Sequence, residues 1–200
     1  MNSDTRTLVV ATGNQGKLAE IRDLLHSLRI ELLSLADFEH LEPVEEDALT
    51  LEGNAVKKAR VIFESTGIPT IADDTGLEAD ALGGEPGVFS ARYAGPDCEP
   101  VANRMKLLTE LSDKEDRRAR FRTVVALVSN SETITFDGVC EGSITTAERG
   151  SMGFGYDALF VPSGSTRTFA EMDSDEKNEI SHRGKALRKL RDYLQSPTRR

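Results

Sequence analysis

Two hundred residues suffice for one well-buried α/β domain and are few for two. With 38% hydrophobic and 30% charged residues, the chain has the make-up of a folded globular protein and not of a disordered one. A net charge of −9 disfavours a general nucleic-acid binder, and the longest apolar run, Val124 to Val128, is too short to cross a membrane.

Met1 to Thr7 is polar and leads straight into a strand-like run, Leu8 to Ala11, so no cleaved leader and a cytoplasmic location are expected. Lys17 to Leu28 has Leu18, Ile21, Leu25 and Leu28 at helical spacing. Ile30 to Leu35 reads as the next strand, followed by an acidic loop and a helix from about Leu51 to Ser65 closed by Gly67. Ile68 to Ala72 reads as a short strand ending at Asp73-Asp74-Thr75-Gly76, and the glycines from Gly83 to Gly87 as loop. A helix starting near Pro100 is expected to bury Val101, Met105, Leu108 and Leu111. Lys114 to Arg118 reads as a turn, and Phe121 to Val128 with Thr133 to Cys140 as paired strands. Leu159 to Val161 is a further strand, and Ser181 to Leu194 a closing helix. Strands interleaved with helices imply an α/β domain, and the hairpin makes its sheet mixed. One domain over residues 1–200 is expected, with 195–200 as a disordered tail. The two cysteines, Cys98 and Cys140, make neither a disulfide framework nor a zinc site.

Charge is unevenly spread. Ile30 to Ala91 holds fourteen acids against three bases, whereas the last twenty residues hold seven bases and one acid. Such a pairing can hold a metal ion and a polyanion together, though a solvated surface reads the same way.

Five segments carry candidate chemistry. Thr12-Gly13-Asn14-Gln15-Gly16-Lys17 joins a strand to a helix, where free N–H groups, glycines and an ammonium can cradle phosphate. It lacks P-loop spacing, and a plain strand–turn–helix connection has the same form. Asp73-Asp74-Thr75-Gly76 can place one carboxylate toward a metal or water, or serve as a turn. Glu45-Glu46-Asp47 can add a carboxylate for Mg²⁺, or be a solvated loop. Gly153-Phe154-Gly155-Tyr156-Asp157 can expose a ring face to a nucleobase, or bury a phenylalanine in a bend. Lys177 with Ser181-His182-Arg183 offers donors for phosphate or a purine edge, or a solvated helix start.

In order, VVATGNQGKLAEI, EEDALTLEGNAVKKA, IADDTGLEADALGGEPGVFSARYAG, GFGYDALFVP and EKNEISHRGKAL resemble the inosine/xanthosine triphosphate pyrophosphatases, from Val9 to Leu187. Thr75 stands where serine is frequent in that family and keeps the hydroxyl. The resemblance implies an elongated single domain with a long mixed sheet, two lobes about a central cleft, and a homodimer. It implies hydrolysis of ITP, dITP and XTP to the monophosphate and pyrophosphate, with Mg²⁺ as cofactor and no nucleic-acid or membrane partner. It assigns the triphosphate to Thr12–Lys17, proton acceptance and metal ligation to Asp74, and substrate contact to Thr75. Glu46 matches the second metal ligand, with Glu45 one residue away. Phe154, Gly155, Tyr156, Asp157, Lys177, His182 and Arg183 would bind the nucleotide, largely its base, while Lys57 and Arg92 are further phosphate candidates. An ordinary Asp, with a pKa of roughly 3.9, is a weak base unless a metal acidifies the attacking water. Two other classes bear comparison: a pyrophosphatase for modified pyrimidine or 7-methylguanine nucleotides, against which the SHRGKA and GFGYD elements argue, and a noncatalytic nucleotide sensor, which would not need Asp74 and the acidic loop.

Overall fold

The computed structural model describes residues 6–42, 44–97 and 99–196. The segment 1–5, expected to hold no leader, and the thiol of Cys98 lie outside the described residues. Seven strands form one mixed sheet in the order β2-β1-β3-β5-β6-β7, with β4 paired to β3. They are β1 (Arg6–Val10), β2 (Ile30–Ser34), β3 (Thr70–Ala79), β4 (Pro86–Gly87), β5 (Arg118–Val128), β6 (Thr133–Ile144) and β7 (Phe160–Pro162). The helices are α1 (Gln15–Leu25), α2 (Leu51–Thr66), α3 (Pro100–Glu110), α4 (Ser174–Ile180) and α5 (His182–Gln195). Among the described residues, no helix is long and apolar enough to cross a membrane.

Two compact units divide the chain. The first takes the residues up to Asp74, Val124–Asp137 and those from Gly184 onward. Here β1 pairs in parallel with β2, from Arg6–Ile30 to Val10–Ser34, and with the start of β3 at Val9–Thr70 and Val10–Ile71. Parallel neighbours need crossovers, which α1 and α2 supply. The helical spacing of Leu18, Ile21 and Leu25 buries these residues with Leu8, Val10, Ile71, Val125, Leu127 and, from α5, Leu187 and Leu190. Helix α2 starts where the Thr50 hydroxyl accepts from Gly53 N–H, and ends at Gly67, whose N–H donates to the Phe63 carbonyl.

The second unit takes Thr75–Thr123 and Gly138–Arg183. Its antiparallel pairs include β3–β4 and β6–β7, and β5 lies between β3 and β6. Its core gathers Leu77, Leu107, Leu111, Phe121, Cys140, Ile144, Leu159, Phe160 and Phe169.

Four expectations need correction. Strand β3 does not stop at Asp73 but runs to Ala79, because both buried carboxylates meet partners and Leu77 and Glu78 pair with β4. Of the face expected for α3, Leu111 is buried in the core and Leu108 packs against it, but Val101 and Met105 are 57% and 56% exposed, and Asn103 and Leu107 are buried in their place. A seven-residue helix, α4, precedes α5, started by a reciprocal cap between Asp173 and Glu176. Finally, α5 extends through Gln195, into the expected tail, of which 197–200 lie outside the described residues.

Candidate active site

Within the first unit, Asn14 caps α1: its side-chain oxygen accepts from Lys17 N–H at 3.1 Å. Thr12 Oγ1 accepts from Asn14 N–H at 3.2 Å. Among the described residues, nothing accepts from the backbone N–H groups of Gly13, Gln15 and Gly16. Three such donors at the positive end of an eleven-residue helix are the kind of group that can cradle an anion.

The Lys17 ammonium lies 3.1 Å from the buried carboxylate of Asp73. Asp74, the next residue on the strand, faces the other way. Its Oδ2 accepts from Asn54 Nδ2 at 3.1 Å, and its Oδ1 lies 3.6 Å from Lys58 Nζ. Lys58 also reaches Glu46 Oε1 at 2.6 Å and donates to the Asp73 carbonyl at 2.8 Å. Burial opposes the Lys58 charge, but Asp74, Asp73 and Glu46 outweigh it and hold the ammonium above its ordinary value. Burial pushes the Asp74 carboxyl up, against the charges of Lys58 and Lys17.

Glu46, Asp74 and the Asp73 carbonyl thus turn oxygens toward one point that the Lys58 ammonium fills. Two carboxylates among hard oxygen donors suit Mg²⁺, which relies on one or two carboxylates and takes its other positions from phosphate and water. In donor chemistry the carboxylates fit this ion, although the point they share is held here by the Lys58 ammonium. Among the described residues, no group of three or more His, Cys, Asp and Glu side chains is arranged to hold a metal unaided.

Within the second unit, Phe154 sits between Gly153 and Gly155, whose φ angles of 73° and 58° lie in the left-handed region that favours glycine. A Cβ on Gly153 would collide with the Asp157 carboxylate. Asp157 Oδ2 accepts from Phe154 N–H at 2.9 Å and from Lys177 Nζ at 2.6 Å. Lys177 Nζ lies 4.7 Å from the centre of the Phe154 ring, and the Arg183 guanidinium 5.5 Å from it. Arg183 is only 1% exposed and donates to Thr75 Oγ1 at 3.0 Å; that oxygen lies 2.6 Å from Thr123 Oγ1. His182 is buried, its ring stacked on Phe121 at 4.4 Å. Tyr156 is buried as well and donates its hydroxyl to the Ser90 carbonyl, so it anchors the loop; burial raises its ionisation well above the ordinary value.

The predicted residues therefore fall into two assemblies, one per unit. Thr12–Lys17, Glu46 and Asp74 belong to the first; Thr75, Phe154–Asp157, Lys177, His182 and Arg183 belong to the second. Of the other two predicted residues, Lys57 pairs with the exposed Asp47 at 2.7 Å, and the Arg92 guanidinium lies over the Phe89 ring. Sequence reasoning did not single out Asn54 or Lys58. Both interrupt the apolar stripe Leu51, Ala55, Ala59 and Ile62 of α2, and polar residues inside a buried stripe are the signal that finds them.

Residues 8–193 match the model of the Ham1 family. A dITP/XTP pyrophosphatase of Geobacter sulfurreducens is 50% identical over 94% of this chain and 96% of its own length. One from Syntrophobacter fumaroxidans is also 50% identical, over 92% of this chain and 79% of its own. Among solved structures, a HAM1 protein from Coxiella burnetii superposes with a TM-score of 0.87 at 42% identity, covering 94% of this chain and 98% of the other. By sequence and by fold, the chain belongs to the Ham1 family.

Proposed function

We propose that this protein is a Mg²⁺-dependent pyrophosphatase that hydrolyses ITP, dITP and XTP, keeping deaminated purines out of DNA and RNA. The observation that carries the reading is the buried Asp74 carboxylate, braced by Asn54 and set beside Lys58 and Glu46. A nucleotide sensor has no need of that arrangement. The relatives named as dITP/XTP pyrophosphatases support the substrate class and weigh against pyrimidine or 7-methylguanine nucleotides. The family resemblance further supports a homodimer.

In this reading the open N–H groups of Gly13, Gln15 and Gly16, with Lys17, hold the triphosphate. Asp74 takes a proton from the water that attacks the α-phosphorus. A new P–O bond forms, the bond to the bridging oxygen of the β-phosphate breaks, and pyrophosphate leaves. Lys17 and Lys58 neutralise charge gathering on the phosphates. Glu46 and Asp74 would hold Mg²⁺, which when bound supplies charge neutralisation and a more acidic water. Lys177 and Arg183 are donor-only while charged, which suits the C6 oxygen of hypoxanthine or xanthine and opposes the amino group of adenine. Phe154 would stack on the base.

The test is product analysis. With Mg²⁺, ITP should give IMP and pyrophosphate in equal amounts, and Asp74→Asn should lower kcat by roughly 10²–10⁴ with the fold intact. IDP and inorganic phosphate as first products would refute the assignment, as would an Asp74→Asn protein with near-normal activity.

A further inference from the structure

We propose that Arg104 is a positioning residue for recognition of the purine base, acting through the backbone of the Phe154 loop. This rests on reading Phe154–Asp157 as the base-binding segment. Arg104 lies in the second turn of α3, and its side chain is largely buried. Its Nε and one terminal nitrogen grip Glu148 at 2.8 and 3.3 Å, and the other terminal nitrogen donates to the Gly155 carbonyl at 3.0 Å. The planar guanidinium fork is thereby engaged on both sides, which a single ammonium cannot reproduce.

The Gly155 carbonyl matters because of what shares its peptide plane. In a trans peptide the C=O of one residue and the N–H of the next point in opposite directions. Holding the Gly155 oxygen against Arg104 aims the Tyr156 N–H away from it. Among the described residues nothing accepts from that N–H or from the N–H of Gly155, although Tyr156 is buried. A Cβ on Gly155 would meet nothing within 4 Å, so open space lies beside the loop. Two successive unspent donors next to the Phe154 ring are suited to an acceptor on a base edge, such as the C6 oxygen. Asp157 fixes the Phe154 N–H, Tyr156 is tied to Ser90, and the Asp157 N–H closes the turn onto the Phe154 carbonyl at 3.1 Å, a closure that the central peptide can satisfy in either orientation. Glycine widens the choice of orientation, and the bond from Arg104 is the one made to the oxygen of that peptide itself.

The experiment compares kcat and KM for ITP and ATP in the full-length protein and its Arg104→Ala, Arg104→Lys and Phe154→Ala variants, with tripolyphosphate as a competitive inhibitor. Arg104→Ala should raise the KM for ITP about tenfold, the worth of one hydrogen bond no longer aimed, and lower the ITP-to-ATP preference by a similar factor. Turnover and inhibition by tripolyphosphate, which read the phosphate assembly, should hold. Arg104→Lys keeps the charge and stem but grips one partner at a time, so its KM should fall between the two; it decides the matter if Arg104→Ala does not fold. Unchanged KM and unchanged preference in the Arg104 variants, whatever their melting temperatures, would overturn the proposal. If those variants are silent while Phe154→Ala raises the KM, only the Arg104 role is lost; if Phe154→Ala is silent too, the base-loop reading falls with it.

Discussion

Glu45 and Glu46 have the same chemistry and differ in direction. Glu45 is exposed, whereas Glu46 sends Oε1 to the ammonium that also meets Asp74. Glu46→Gln should therefore raise the Mg²⁺ concentration for half activity by about tenfold or more, the effect expected when a metal's surroundings lose a carboxylate, while Glu45→Gln should leave it nearly unchanged. A Mg²⁺ titration of ITP hydrolysis reads both, and the reverse order would move the metal ligand to Glu45. Lys57 and Lys58 present the same contrast on a helix. Successive residues there point about 100° apart, so one lysine reaches the exposed Asp47 and the other, four residues after Asn54, shares the face that Asn54 turns to Asp74.

Among the elements, α3 offers the sharpest test of what a pattern can mislead. Leu107 is fully buried and Met105 more than half exposed. Leu107→Ala should cost about 2–5 kcal/mol, whereas Met105→Ala should stay within about 0.5 kcal/mol. Urea denaturation measures both, and equal losses would restore the face first expected from spacing. That face was misread at Val101 and Met105, though not at Leu108 and Leu111, because the side turned to the core includes a polar residue, Asn103, that accepts from Ala94 N–H and donates to the Ala91 carbonyl. Elements with strong local punctuation, such as α2 between Thr50 and Gly67, were legible. The cap Asp173-x-x-Glu176 that starts α4 went unread, because the helix it opens is only seven residues long. The length of β3 was not, because adjacent aspartates imitate a strand end and their partners, Lys17, Asn54 and Lys58, lie far away in sequence. The candidate site was legible as motifs, through family resemblance. Which member of each pair, Glu45 or Glu46 and Lys57 or Lys58, faces inward depends on packing that no motif states.

On the scale of the whole molecule, two core clusters stand on shared strands. Ile71 belongs to one and Leu77 to the other, yet both lie on β3; Val125 and Phe121 divide in the same way on β5, and Phe136 and Cys140 on β6. A strand that loses its packing at one end frays toward the other, since its register is set along its whole length. We therefore propose that the chain folds as one cooperative domain despite having two compact units. Leu187→Ala, in the first core, and Phe160→Ala, in the second, should each lower the same transition. Truncations of this kind cost about 2–5 kcal/mol, which at this chain length lowers the melting temperature by about 4–20 °C. Calorimetric and van't Hoff enthalpies should agree in the parent and in both variants, the mark of an all-or-none transition. The chain has no tryptophan, so fluorescence reports Tyr93 and Tyr156 of the second unit with Tyr193 of the first, and its curve should coincide with far-ultraviolet dichroism. A Leu187→Ala protein that melts in two stages, the second at the parent's midpoint, would mean that the shared strands do not couple the cores and that the units unfold separately.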